Sequence, residues 1–296
     1  MKIVKSLFKL SSSVLPEHND IVEGFLFEQA PSSWALEVNH LTGVGTLNGF
    51  FSSKTMRDQD KALIEREIGS LVKFQFSEDE IEDEDWKESY KSHFSPWNYK
   101  SIHFIPIWLK NDYHVPDNEI SLFLDPGMAF GTGIHESTRM CLEFLIEDKS
   151  TQPDRHSLLD LGCGSGILSL LSFLIGFRKV VGLDNDVDAV RISKENAVLN
   201  DLEDKIAFNN LDLFQLNQPI GIFDCVVANI QADILILNAD QIISNSHDRS
   251  TIILSGILSK EAQQVLDVFM KKGKYAQDDY LVKNMGEWTS ILFRRI

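Results

Sequence analysis

The chain has 296 residues, 43% of them hydrophobic, and 44 Asp and Glu against 28 Lys and Arg give a net charge of -16 at pH 7. That length accommodates two domains with real cores, and no apolar run of about 18 residues is present to span a bilayer. A negative surface opposes a phosphate backbone, so no direct sequence-specific nucleic-acid binding is expected and a basic protein is the more natural macromolecular partner.

In chain order, the opening MKIVKSLFKL reads as a strand, not as an export signal. Behind Pro16, the residues Ile21, Val22, Phe25 and Leu26 recur at helical spacing, and WALEV places Trp34, Leu36 and Val38 on one face of a strand. DQDKALIEREI, Asp58 to Ile68, reads as a second helix with Ala62, Leu63 and Ile68 inward, and LVKFQF, Leu71 to Phe76, as the strand after it. Residues 1–76 are therefore expected to form a small α/β sandwich of the β-α-β-β-α-β kind, that is, ferredoxin-like. Residues 77–100, acidic up to Trp86 and aromatic beyond it, read as a solvated linker. SIHFIPIW then starts a second domain, 101–296, as a strand.

From Ser157 the pattern alternates regularly. SLLDL, KVVGLD, KIAF, FDCVVANI and TIILSGIL read as strands, with helices GILSLLSFLIGF, VDAVRISKENAVLN, ADILILNADQIIS and KEAQQVLDVFMKK between them. Strands this apolar, separated by helices, imply a parallel sheet covered on both faces. Two strand-like runs separated by Gly286 close the chain as a hairpin. Cys141, Cys163 and Cys225 are widely spaced and fit small buried thiols in a reducing cytoplasm, and the scattered His residues show no ligand spacing, so no metal is expected.

Two glycine-bearing segments carry the chemistry: LDPGMAFGTGIHEST, Leu124 to Thr138, and LLDLGCGSGIL, Leu158 to Leu168. Gly162, Gly164 and Gly166 follow a strand and open a helix, where backbone approaches a ligand closely. Ile167 stands where a dinucleotide fingerprint has its third glycine, so that fingerprint is not met. Asp184 ends the next strand, where a carboxylate takes both hydroxyls of a ribose. Asp160 precedes the glycines and suits a ligand ammonium group, for which a pyrophosphate has no use. This set favours S-adenosylmethionine over a dinucleotide.

LDPGMAFGTGIHEST, LLDLGCGSGIL, KVVGLDND, VVANI and LSGIL stand in the order and spacing of the ribosomal protein L11 methyltransferase family, which the chain resembles over Ile102 to Ile296. The resemblance implies an α/β protein with a class I, Rossmann-like, seven-stranded methyltransferase domain behind a smaller N-terminal substrate-recognition domain. It implies a cytoplasmic, monomeric enzyme that uses S-adenosylmethionine to methylate lysine side chains and the N-terminal amine of one ribosomal protein. Thr138 matches the family's donor-contacting threonine, Gly162 its first loop glycine, Asp184 its ribose-binding acid and Asn229 the asparagine beside the transferring methyl. The chain departs from the family's usual Thr at Ile134, Pro at Glu136, Thr at Ser137 and Leu at Gln231, positions that shape the amine pocket.

Several residues carry two readings. Asn229 either orients the amine through its side-chain oxygen, with the Ile230 carbonyl sharing the task, or starts a turn. His135 is either a general base or a local hydrogen-bonding group that holds the first glycine segment. Thr138 either caps a helix or bonds the donor carboxylate. Asp212 is a weaker candidate for the adenine amine, Phe130 either shields the sulfonium or packs, and AFGTGIHEST as a whole reads as a lid over the methionine end of the donor.

Overall fold

The computed structural model describes residues 6–29, 33–39, 42–51, 53–82, 95–125, 135–215 and 218–294. The chain forms two compact units, Met1–Phe94 and Ser95–Ile296.

In the first unit, strand β1 (Ser6–Val14) leads through a 3-10 turn at Pro16 into helix α1 (Asn19–Gln29). Strands β2 (Trp34–Val38) and β3 (Gly45–Phe51), helix α2 (Lys54–Ile68) and strand β4 (Ser77–Glu82) follow. The sheet order is β2-β3-β1-β4, antiparallel throughout, which is the ferredoxin-like arrangement the sequence predicts. Leu10, Val14, Val22, Phe25, Trp34, Leu47, Phe51 and Ile64 fill its core, where Trp34 meets Phe51 edge-on at 5.3 Å. α2 starts at Ser53, whose hydroxyl accepts from Met56 N, and turns Ile64 and Ile68 inward while Ala62 is exposed, which corrects the face read from the sequence.

The unit's last strand also differs from expectation. Leu71–Phe76 contribute Val72, Phe74 and Phe76 to the core without being a strand, and β4 is instead the acidic run Ser77–Glu82, which the sequence reading places in the linker. The reason is that an edge strand needs backbone pairing but little apolar surface. β1 supplies the pairing, and α2 supplies cations: Glu78 meets Lys61 at 2.8 Å and Arg57 at 3.1 Å, and Glu80 meets Lys54 at 3.4 Å.

The second unit begins with a three-stranded sheet of β5 (Trp97–Tyr99), β6 (Ile102–Pro106) and β7 (Ile120–Leu124). β5 thus starts inside the stretch read as linker. Helix α3 (Glu136–Thr151) leads to alternating elements: β8 (Ser157–Leu161), α4 (Ile167–Leu174), β9 (Lys179–Asp184), α5 (Val187–Leu199), β10 (Ile206–Asn210) and β11 (Phe223–Asn229). Helices α6 (Ala232–Leu237) and α7 (Ala239–Ser244), strand β12 (Ser246–Leu258), helix α8 (Ala262–Gly273) and the hairpin β13 (Tyr280–Met285) and β14 (Trp288–Arg294) complete it. The seven-stranded sheet has the order β10-β9-β8-β11-β12-β14-β13, with only β14 antiparallel to its neighbours.

Side chains alternate across this sheet, so it carries a core on each face. Leu158 packs with Cys141, Leu145 and Leu170 from α3 and α4, and Leu159 and Leu161 pack with Leu235, Ile242 and Phe269 from α6, α7 and α8. All three cysteines are buried thiols. No helix among the described residues is long and apolar enough to cross a membrane.

The last turn of α3 is pinned by a buried polar group. Asp148 holds Arg155 as an ion pair, accepts from Thr251 Oγ1 at 2.9 Å and meets Arg294 at 3.3 Å, while Arg155 also donates to the Arg249 carbonyl. Asp148→Ala leaves Arg155 buried without its carboxylate and is expected to cost about 3–5 kcal/mol of stability in chemical denaturation. A loss under about 1 kcal/mol would show that water or another group takes over the guanidinium.

Candidate active site

β8, β9, β11 and β12 are parallel, and strand order reverses between β8 and β11, which is where an open α/β sheet leaves a crevice beyond its carboxyl ends. A cavity of about 440 Å³ lies there, lined by Ser137, Gly162, Leu183, Asp184, Asn185, Leu211, Asp212, Leu213, Phe214, Asn229, Ile230, Gln231, Ile234, Gly256 and Trp288.

The loop after β8 forms its floor. Gly162, Gly164 and Gly166 all have left-handed backbone, and a Cβ on Gly162 would stand 2.4 Å from Ile230 Cγ2, so a side chain there would collide with the end of β11. The loop is fastened to β9: Gly162 N and Cys163 N donate to the Leu183 carbonyl at 2.8 and 2.9 Å, and Gly164 N donates to Asp184 Oδ2 at 2.8 Å. Asp184 Oδ1 accepts from Asp186 N at 3.0 Å. A carboxylate has about four lone-pair sites, so Asp184 keeps accepting capacity toward the cavity it lines. Beside it, Leu183, Leu211, Leu213, Phe214 and Ile234 make an apolar slot, and Asp212 Oδ1 accepts from Phe214 N at 3.0 Å, which shapes the turn.

The opposite wall comes from the start of α3. His135 is its N-cap: Nδ1 accepts from Ser137 N at 3.3 Å and lies 2.8 Å from Ser137 Oγ, and the ring stands edge-on to Trp288 at 4.7 Å. Burial lowers its pKa, so the neutral ring is favoured, and with Nδ1 accepting, the hydrogen sits on Nε2. That is a helix cap, in keeping with the local reading of His135, and the nitrogen that a base would use is already engaged.

Thr138, buried in the same turn, accepts from Asn229 Nδ2 at 3.1 Å. Asn229 Oδ1 is buried without a hydrogen-bond partner among the described residues. Two of the residues singled out in the sequence, 91 positions apart, therefore form one unit. Ser255 braces it from both sides. Its carbonyl accepts from Ile230 N at 3.1 Å, and its hydroxyl donates to the Ser137 carbonyl at 2.9 Å and lies 2.5 Å from Ser290 Oγ. At Gly256 a Cβ would stand 2.7 Å from the Ile230 carbonyl oxygen, and φ is +77°.

Asp160 is buried behind the loop. Its Oδ2 accepts from Ser169 Oγ at 2.7 Å, and its Oδ1 has no partner among the described residues. Of the sequence candidates, Phe130 and Ile134 lie outside the described residues, as does most of the segment read as a lid. Ser137 and Gln231, two of the departures from the family pattern, line the cavity, and Glu136 stands in the first turn of α3. Sequence reasoning missed Ser255, Gly256 and Trp288 as cavity or bracing residues. LSGIL held a signal in its glycine, whereas Trp288 reaches the site only because β14 folds back beside β12.

A parallel sheet extended by one antiparallel strand, in this order, with a carboxylate closing its second strand and an asparagine closing its fourth, defines a class I S-adenosylmethionine-dependent methyltransferase. Residues 11–296 match the family Ribosomal protein L11 methyltransferase (PrmA). A ribosomal protein L11 methyltransferase of Pelobacter propionicus is 38% identical over 219 residues, which cover 73% of this chain and 68% of that one. Another, of Clostridium perfringens, is 33% identical over 278 residues, 90% of this chain and 85% of that one. The crystal structure of a ribosomal protein L11 methylase from Lactobacillus delbrueckii subsp. bulgaricus superposes with a TM-score of 0.58 at 25% identity, covering 69% of this chain and all of that one. The chain belongs to the ribosomal protein L11 methyltransferase family.

The site also carries a pH signature. Burial pushes the Asp160 carboxyl up to about 7, against the Ser169 hydrogen bond, which acts downward. The unfolded chain releases this proton near pH 3.9, and the folded chain holds it to about 7, so its contribution to stability is full below the lower value and is lost as pH rises through that window. Asp160→Asn should therefore gain thermal stability over the wild type at pH 8 relative to pH 5, with no donor present. Parallel curves of unfolding temperature against pH for the two proteins would refute this.

Proposed function

We propose that this chain transfers methyl groups from S-adenosylmethionine to amine nitrogens of ribosomal protein L11, both lysine side chains and the N-terminal amine. The observation that carries this reading is the Thr138–Asn229 pair, which leaves a buried, unpartnered acceptor at the wall of a cavity otherwise equipped for a nucleoside. The residues present fit that donor. Asp184 suits a ribose diol, the Leu183–Phe214 slot a planar base, and the left-handed turn at Gly162 a close approach of backbone. When bound, the donor supplies an electrophilic methyl carbon on a sulfonium.

The chain's part is positioning. Asn229 Oδ1 accepts an N–H of the incoming amine, the Ile230 carbonyl shares this task, and the nitrogen lone pair is left directed along the line of transfer at about 3 Å. Thr138 holds the Asn229 amide in that sense by occupying Nδ2. The amine gives up its proton to water before transfer, because His135 Nδ1 is occupied as a helix cap. The small N-terminal unit is the substrate-recognition domain, and the net charge of -16 suits a basic ribosomal protein.

The test is to incubate the protein with radiolabelled S-adenosylmethionine and ribosomal components from a strain lacking the enzyme, then resolve the labelled species. Label is expected in L11, and label in RNA or none in protein overturns the proposal. Asp184→Ala is expected to abolish donor binding by calorimetry, whereas Asn229→Ala keeps it and lowers kcat about 100-fold, the scale of a misplaced reacting group. Equal donor binding by Asp184→Ala and wild type would remove the ribose assignment.

A pH profile separates positioning from base catalysis. With a lysine-containing peptide of L11, log kcat/KM should climb with unit slope from pH 6 toward the free amine's value near 10.4, and for the N-terminal amine it should level off near 8. His135→Asn, which keeps a capping side chain, should leave these slopes unchanged. An inflection below 6.5 that disappears in His135→Asn would restore the base role.

A further inference from the structure

Asn196 is a buried amide on the inner face of α5, and it is not one of the cavity-lining residues. Its two ends go to backbone atoms of two different segments. Nδ2 donates to the Ser165 carbonyl at 2.9 Å, in the middle of the loop between Gly164 and Gly166. Oδ1 accepts from Asp125 N at 3.0 Å, the first residue past β7 and the start of the stretch that runs on to α3 at Glu136. One side chain thus joins the two glycine-bearing segments that the sequence places on either side of α3.

One turn further along α5, Asn200 also fastens the helix to β7, but differently. Its Oδ1 accepts from Phe123 N at 2.8 Å, and its Nδ2 donates to the Phe123 carbonyl at 2.7 Å and to the Asn196 carbonyl at 2.8 Å. Asn200 therefore anchors α5 to β7 without reaching the loop. The pair separates two roles that a single residue would confound: fixing the helix against the three-stranded sheet, and fixing the glycine loop against Asp125 at the end of β7.

We infer that Asn196 is a positioning residue for the donor site: it holds the glycine loop after β8 against Asp125 at the end of β7, so that donor affinity depends on a side chain that does not line the cavity. The inference rests on the reading of this cavity as the S-adenosylmethionine site. A loop that lies against the end of β11 at Gly162 has little freedom on one side, and the Asn196 amide removes it on the other. The geometry is specific to an amide. A carboxylate at the same place keeps the acceptor for Asp125 N and turns a second oxygen toward the Ser165 carbonyl, so an aspartate preserves size and one hydrogen bond while losing the link to the loop.

The test uses the full chain and S-adenosylhomocysteine as the binding probe, with donor KM and kcat measured in parallel. Asn196→Ala and Asn196→Asp are expected to raise the Kd for S-adenosylhomocysteine and the donor KM about tenfold, with kcat at saturating donor within about twofold of wild type. Asn196→Ala and Asn200→Ala are expected to lower the unfolding temperature by similar amounts, while Asn200→Ala leaves Kd and donor KM within about twofold. Equal losses of affinity in Asn196→Ala and Asn200→Ala would reduce Asn196 to a structural anchor and overturn the inference. So would wild-type affinity in a folded Asn196→Asp. Wild-type protein that fails to bind S-adenosylhomocysteine would overturn the donor-site reading itself, and the inference with it.

Discussion

The hydrogen bond from Asn229 Nδ2 to Thr138 Oγ1 joins the end of β11 to the beginning of α3, and the proposed chemistry depends on it because it decides which end of the Asn229 amide remains open. Neither residue sets this geometry locally. Asn229 pairs in parallel register with Ser255 of β12, and Ser255 in turn reaches the Ser137 carbonyl, so the position of the helix start is transmitted through the sheet. Gly256 completes the arrangement by letting the Ile230 backbone pass where a Cβ would collide. Strand register, more than any single residue, holds the two halves of the site at bonding distance.

The two units manage acidity in different ways. In the first, the acidic residues of β4 sit on a sheet edge and reach the cations of α2, so a strand of low apolar content closes a small sandwich. Exposed pairs of this type contribute little stability each, and the apolar core around Leu10, Leu47 and Phe51 carries that unit. In the second, Asp148 is buried with Arg155 and is matched by hydrogen bonds as well as charge, so removing one partner costs far more than forming the pair yields.

Much of this was legible in the sequence, for reasons that differ by element. The parallel strands were readable because burial on both faces leaves continuous apolar runs such as VVGL and CVVA, and the terminal hairpin because Gly286 separates two alternating runs. β4 was not readable, since an edge strand need not look apolar, and Leu71–Phe76 looked like a strand while serving as a core-packing connection. At the site, Gly162, Asp184 and Asn229 stand at strand ends, where local pattern and position coincide. Thr138 was placed by resemblance, and its bond to Asn229 only by the fold. Trp288 and Asn196 carry no local signal, because each acts through contacts between distant segments.

Two buried acceptors in this part of the fold have no partner among the described residues. They are Asn229 Oδ1, at the end of β11, and Asp160 Oδ1, behind the glycine loop. Each is held by a partner on its other side, Thr138 for Asn229 and Ser169 for Asp160, so neither can swing away to find a new bond without breaking an existing one. A ligand that supplies N–H donors therefore meets acceptors already fixed in direction. Preorganisation of this kind leaves little rearrangement for the transfer step.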